Sequence, residues 1–358
     1  MYGCLSKIFI ILFLATVTFI YGANDHDLKI LALRVDFKSD NHEGTTGNGK
    51  FLLSNDFNKC KDYTVDPPPH DISYFKSQLK ALDNYFRSVS NGQYGVDLEH
   101  SDIFPTDSEN AYTMLDSMSF YHPFVSDLNE DERKLLHEGR IVQLFYDAIN
   151  IAYHNDAIRF NLYDVVVIFH AGVSQDFAFD FDSTPEDIPS TYIDYQMIRK
   201  YIGNDGVYVG DANIKFGIIL PETQNHILYP EMVDSFLNRG IKNICNYQFG
   251  LTGTFAMLIG QAIGLPPLWN TGTGESGIGV FGLMDQGSNN GQGLIPAPPI
   301  AWNRKYIGWE EPIYIIPDEI IEIDSRPIGN TLKINIDNDE YFLIENRNNW
   351  FRSNVDID

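Results

Sequence analysis

The chain has 358 residues, 25 of them basic and 49 acidic, for a net charge of -24. A surface of that sign repels nucleic acid phosphates and anionic lipid headgroups, which argues against both as partners. Hydrophobic content of 44% with 13% aromatic residues, and charge spread along the chain, exclude a disordered polymer and point to a folded core.

Lys7 precedes an almost wholly apolar run from Ile8 to Ile20, and the small residues Gly22 and Ala23 follow. That succession is the layout of a signal peptide. The run is shorter than the roughly 20 apolar residues a membrane-spanning helix needs. Residues 1–22 are therefore read as a cleaved leader, and the remainder as a secreted, extracellular protein that no membrane holds after leader removal. Its length suits one large domain or two unequal ones. Cys4 lies in the leader, so Cys60 and Cys245 are the remaining cysteines. In an oxidising compartment they can pair only with each other, and two buried free thiols are the alternative; the sequence leaves both open.

Leu28 to Phe37 alternates and is rich in branched residues, which predicts a first strand leading into a Gly, Asn and Thr-rich loop over Ser39 to Lys50. The proline triplet Pro67 to Pro69 interrupts regular structure. Phe75, Leu79, Leu82, Phe86 and Val89 recur at helical spacing, predicting a helix over Ile72 to Val89 that Ser90, Asn91 and Gly92 end. Leu135, Val142, Phe145, Ile149 and Ala152 predict a second helix from about Asp131 to Tyr153. Tyr163 to Phe169 is a continuous apolar run, the pattern of a strand buried on both faces, and Lys215 to Leu220 predicts a further strand. An apolar helix follows over Phe249 to Ile263, ended by Gly264, Pro266 and Pro267. Gly and Asn-rich loops run on to Pro299. Beyond Pro312 the segments IYIIP, EIIEID, TLKINI and EYFLIEN predict short strands.

Thr254 to Asn270 (TFAMLIGQAIGLPPLWN) carries most of the functional information. Two ligands four residues apart on a helix lie on one face, about 6 Å apart along the axis, and can grip one ion. A His-Glu-x-x-His helix holds zinc in this way, with the Glu as general base on the zinc-bound water. Gly260, Gly264, Leu265, Pro266 and Leu268 resemble the frame of such a helix in the immune inhibitor A-like secreted metallopeptidases, whose pattern is His-Glu-x-Gly-His-x-x-Gly-Leu-Pro-Asp-Leu. Gly277 to Asp285 (GIGVFGLMD) is similar to the family's Met-turn, with Met284 in the place of the methionine beneath the metal. Ala301-Trp302 and Ile307 to Trp309 resemble the stretch after it. Upstream, Asp66 to His70 (DPPPH), Tyr85-Phe86 with Val89 to Gly92, and Tyr163-Asp164 with Phe169 to Gly172 resemble the family's N-terminal half. Tyr341 to Arg347 is similar to the start of its β appendage.

The resemblance implies an α+β fold: a zincin-like metallopeptidase domain over residues 24–312 with a twisted mixed sheet and an active-site-type helix. A β-rich C-terminal segment, 313–358, would follow and reads as part of a longer appendage. Residue by residue, however, Met257 stands at the first His, Leu258 at the Glu, Gln261 at the second His and Pro267 at the third ligand. Proline has no side-chain donor, leucine takes no proton, and a neutral amide replaces imidazole poorly. The expectation is a pseudoenzyme: no zinc, no proteolysis, and an extended peptide or protein as partner. A peptidase with replacement ligands and a structural matrix protein are the rivals.

Several side chains outside that helix are weighed too. A soft copper(I) site at Met257, Gln261 and Met284 has as its plainer counterpart methionines filling the space left by a lost metal. His137-Glu138 begins a zinc-like motif, but Ile141 occupies the second His position, so the pair is expected to face solvent. His170 with His226 could recruit a metal, against a simple hydrogen-bonded histidine. The cluster Asp176, Asp180, Asp182, Glu186 and Asp187 offers oxygen ligands suited to calcium, which members of the resembled family commonly carry; a solvated charged loop is the alternative.

Overall fold

The computed structural model describes residues 26–39, 42–54, 60, 63–177, 183–316, 320–325, 330–337 and 340–347. The expected leader, residues 1–22, lies outside the described residues. In chain order these form β1 (Ile30–Asp36), α1 (Ile72–Val89), β2 (Asp102–Phe104), β3 (Tyr112–Thr113), α2 (Met118–Tyr121), α3 (Glu130–Asn155), β4 (Val165–His170), β5 (Thr191–Ile193), α4 (Tyr195–Ile202), β6 (Val207–Val209), β7 (Ala212–Ile214) and β8 (Gly217–Pro221). They continue as α5 (Pro230–Asn238), α6 (Thr252–Ala262), α7 (Ala301–Tyr306), β9 (Ile313–Tyr314), β10 (Leu332–Asn335) and β11 (Tyr341–Ile344).

The architecture is mixed α+β with three sheets. The main one runs β2-β1-β4-β8-β5, with β3 extending the β2 edge. Its pairings are parallel except that of β5 with β8, which is antiparallel. Side chains alternate across a strand, and two contacts fix which helices cover which face. Phe169 of β4 lies 4.7 Å from the ring of Phe75 on α1 and 5.5 Å from that of Phe255 on α6. Gly217 of β8, in register with Val166, faces the other way: a Cβ there would come within 2.3 Å of Phe145 on α3. Helices α1 and α6 therefore cover one face and α3 the other. That double cover explains why β4 and β8 are buried at every position instead of alternating.

Local chemistry sets the helix limits. Asp71 caps α1 by accepting from Ser73 N at 2.8 Å and Tyr74 N at 3.1 Å, and Asn91 and Gly92 take positive φ after its end. Asn129 and Glu132 form a reciprocal capping box on α3, reinforced by three acidic residues in its first turn.

Cys60 and Cys245 form a disulfide, which decides between the two alternatives above. It staples a second, smaller apolar cluster in which α5 supplies Met232, Val233 and Phe236. The C-terminal residues form a three-stranded sheet, β11-β10-β9. One expected strand is absent: Ile320–Ser325, most of EIIEID, has no regular structure, and Ile320 is fully exposed. That sheet comprises β9, β10 and β11, and the segment contributes no strand to it. Arg304 of α7 ties this sheet to the rest through Glu310 at 2.7 Å and Glu345 at 2.6 Å. No helix among the described residues is long and apolar enough to cross a membrane.

The disulfide closes a loop of 185 residues. Replacing both cysteines by serine is expected to lower unfolding free energy by about 2–5 kcal/mol in urea titrations. An unchanged urea midpoint would show that the staple contributes nothing.

Candidate functional site

Gly260, Gly264, Leu268 and Met284, part of the resemblance, come together at the end of α6. Its last turn closes through Gly264, whose φ of 99° is left-handed, with Gly264 N donating to Gln261 O at 3.0 Å and Leu265 N to Gly260 O at 2.8 Å. The chain then turns back so that Leu268 N donates to Met284 O at 2.8 Å. Met284 is fully buried, and its Sδ would lie 2.7 Å from a Cβ on Gly260, so the glycine is what lets the methionine seat against the helix. The loop before Met284 is organised by Asp285. Its Oδ2 accepts from Ser276 Oγ at 2.8 Å and from the backbone N–H groups of Gly277, Ile278 and Gly279 at 2.7–2.9 Å. Burial alone would raise the Asp285 pKa, but these donors overcome it and hold the carboxyl below its usual range.

Of the four substituted positions, Leu258 is buried in the core, whereas Met257, Gln261 and Pro267 are half-buried. Met257 and Gln261, one turn apart, thus share the more accessible side of α6. A thioether and an amide there, followed by an imino acid, offer neither imidazole nor carboxylate.

Behind α6 lies a dense polar network. Glu222, at the C-terminal end of β8, is fully buried and accepts four hydrogen bonds: His70 Nδ1 at 2.5 Å and Leu52 N at 2.9 Å on Oε2, Gly172 N and Tyr229 Oη at 2.7 Å each on Oε1. His70 Nε2 donates to Asp66 O at 2.9 Å, and Tyr74 stacks on its ring at 4.3 Å. Burial depresses the His70 pKa, yet its bond to Glu222 prevails and raises it above the ordinary histidine value. Asp66 reaches α6 itself, accepting from Leu251 N at 3.0 Å. Burial raises its pKa.

In the acidic cluster weighed for calcium, Asp176 is exposed as in a solvated loop, whereas Glu186 and Asp187 are buried. Asp180 and Asp182 lie outside the described residues. Asp176 accepts from Ser190 N at 2.9 Å and Gln224 Nε2 at 2.7 Å, so both its oxygens are engaged by protein donors. Asp187 is buried against Thr46, accepting from its N–H at 2.7 Å and from its hydroxyl, and Glu186 accepts from Phe124 N at 2.7 Å. The His137-Glu138 pair also departs from the solvent-facing expectation. His137 Nε2 donates to Pro123 O at 2.9 Å with its ring 4.0 Å from that of His122, while Glu138 binds Lys200 at 2.9 Å and Tyr201 Oη at 2.7 Å. Helix α3 is partly covered at this point by α4, which the sequence pattern did not reveal. His170 donates from Nδ1 to Ala171 O at 2.9 Å, and His226 Nδ1 pairs with Gln224 O at 3.1 Å. Among the described residues no three His, Cys, Asp or Glu side chains are grouped to hold a metal ion.

Sequence reasoning missed Glu222 and Asp285 as organisers. Each follows or sits within an apolar run, which is the one available signal that its carboxylate is held inside. Compared with family models, with characterised proteins and with solved structures, the chain matches none.

Replacing Glu222 by Gln leaves a buried His70 without its counter-charge. A loss of about 3–5 kcal/mol in denaturation free energy is expected, and an unperturbed stability would contradict the ion pair. His170 is held at a pKa of about 4, chiefly by burial, so it is neutral when folded and charges more readily when unfolded. Its contribution to stability is intact above about pH 6.5 and is lost as pH falls toward 4, on the order of 3 kcal/mol. His170→Asn should flatten the pH dependence of the urea midpoint in that window; an identical slope would refute this. His70 acts in the opposite sense, its contribution complete below about pH 6.5 and lost as pH rises through its raised pKa.

Proposed function

We propose that this chain is a secreted, zincin-like pseudopeptidase related to the immune inhibitor A-like metallopeptidases, which has lost its zinc ligands and general base and acts by binding an extended peptide or protein segment. The observation that carries the reading is the side-chain chemistry of α6. A helix with the glycine-turned end and buried methionine of a zinc-peptidase helix presents Met257 and Gln261 on its accessible side, with Leu258 in the core and Pro267 beyond. Zinc hydrolysis requires three nitrogen or oxygen donors and a proton acceptor around one ion, and of these side chains only Gln261 offers a donor, a weak amide oxygen.

Peptide binding draws support from the sheet edge. β5 is the antiparallel edge strand, it contacts α6, and among the described residues no strand pairs with its outer side. An incoming strand could extend the ladder along that side without any metal. The register aligns Tyr192 with Ile218, on the α6 face, and Thr191 and Ile193 on the α3 face. Alternate side chains of a bound peptide would thus meet the two faces in turn.

Two measurements test this. The purified protein should contain no stoichiometric zinc and leave casein intact with or without chelator; chelator-sensitive cleavage would sink the pseudopeptidase reading in favour of an active peptidase with other ligands. Selection from a library of extended peptides should enrich binders, and no enrichment would favour a matrix protein. Restoring the donors (Met257→His, Leu258→Glu, Gln261→His, Pro267→Asp) is expected to create stoichiometric zinc binding in a folded variant.

A further inference from the structure

On the α3 face of the sheet, away from α6, a groove of about 450 Å3 lies between the first turns of α3, the segment entering β5, and α4. His122, Arg133 and His137 line it together with Thr191. Two features separate it from an ordinary surface crevice. Both His122 Nδ1 and Arg133 Nε are buried and have no hydrogen-bond partner, and His122 itself is only 7% exposed. Leaving such atoms unpaired costs about 1–3 kcal/mol each, so orphans on one groove wall mark a place where a ligand can supply what the fold does not.

The second feature is charge. Within a chain of net charge -24, this groove sets Arg133 and Lys134 beside Glu130 and Glu138, so its lining escapes the acidic excess of the rest. Arg133 and Lys134 form no ion pair among the described residues, whereas Glu138 is already neutralised by Lys200 at 2.9 Å and hydrogen-bonded by Tyr201. Glu130 is the remaining acid on the lining, and Ile141 and Met197 give the groove an apolar wall. Arg133 spends one terminal nitrogen on Leu128 O at 3.0 Å, which fixes the guanidinium and leaves its other donors available. A rigid guanidinium beside an imidazole, with an apolar wall for a short carbon chain, is the chemistry that recognises a carboxylate.

We propose that this groove is a carboxylate-binding site, taking either a free short-chain diacid or the acidic side chain of a peptide. The peptide source rests on the reading of β5 as a peptide-accepting edge, since Thr191 belongs to both β5 and the groove; the free-acid source does not. Binding is coupled to a proton. Burial, and then the neighbouring His137 ring, hold the empty-site pKa of His122 down to about 4, with the backbone of Asp187 opposing them. A carboxylate against Nδ1 favours the imidazolium, so the bound state takes up a proton and affinity falls as pH rises. Glu130 and Glu138 act in the direction of protonation, and Arg133, Lys134 and His137 against it.

The test is titration calorimetry of the full secreted chain with glutarate, and with two extended peptides that differ only in one Glu against Gln. Glutarate or the Glu peptide is expected to bind, more tightly at pH 5.5 than at pH 8, with heats that depend on the buffer's ionisation enthalpy. Arg133→Gln should weaken that binding about tenfold or more, and His122→Gln should abolish the proton uptake while far-UV circular dichroism is unchanged. Binding of glutarate without either peptide supports the site with a free acid as its ligand, and counts against β5 as a peptide edge. Binding of both peptides equally, with no glutarate binding, overturns the carboxylate site and leaves the peptide edge standing. Glutarate or Glu-peptide binding that Arg133→Gln does not alter also overturns it.

Discussion

A single carboxylate holds four parts of this fold in register. Glu222 sits where β8 leaves the sheet, and its two oxygens accept from His70, from the backbone of Leu52 and Gly172, and from Tyr229. Those partners come from the proline-rich segment before α1, the loop preceding it, the turn after β4 and the start of α5. A buried carboxylate is costly to desolvate, and what makes it tolerable is that its lone pairs are met by four donors, one on a residue that can carry the opposite charge. The same network reaches α6 through Asp66 and Leu251, so the seat of the candidate site depends on it.

Packing and a second carboxylate brace α6 as well. In a zinc peptidase the ion itself would brace the helix against its surroundings. Here Leu258 is core, Met284 fills the hollow opposite Gly260, and Asp285 gathers the approaching loop with four donors to one oxygen. Dispersion contacts and a carboxylate nest supply the rigidity that coordination bonds would otherwise give.

The long elements were legible in the sequence because their periodicity is long. Phe75 to Val89 and Leu135 to Ala152 repeat at helical spacing over several turns, and the apolar runs of β4 and β8 announce strands covered on both sides. Elements of two or three residues, such as β2, β3 and β5, leave no period to read, and β5 is the strand on which the edge geometry turns. Burial of charge was equally hidden. Arg34 lies wholly inside β1 yet is met by the carbonyls of Pro105 and Ser108, partners more than seventy residues away in sequence. Asp187 and Glu186 looked like a solvated run because a single chain does not disclose which backbone N–H groups will converge on a side chain. At the candidate site the frame was legible, since Gly260, Gly264 and Met284 have fixed mutual spacing. The His122 and Arg133 groove was not, because Thr191 and Met197 reach it only through the fold.

The attachment of the C-terminal sheet has a consequence for behaviour in brine. Arg304, 1% exposed, binds the largely buried Glu310 and Glu345, so dissolved ions screen that junction less than they screen exposed pairs. The remainder of the molecule repels itself through its excess of carboxylates, and that repulsion weakens with added electrolyte. Salinity therefore relaxes the exterior more than it loosens the ionic clasp between the two parts.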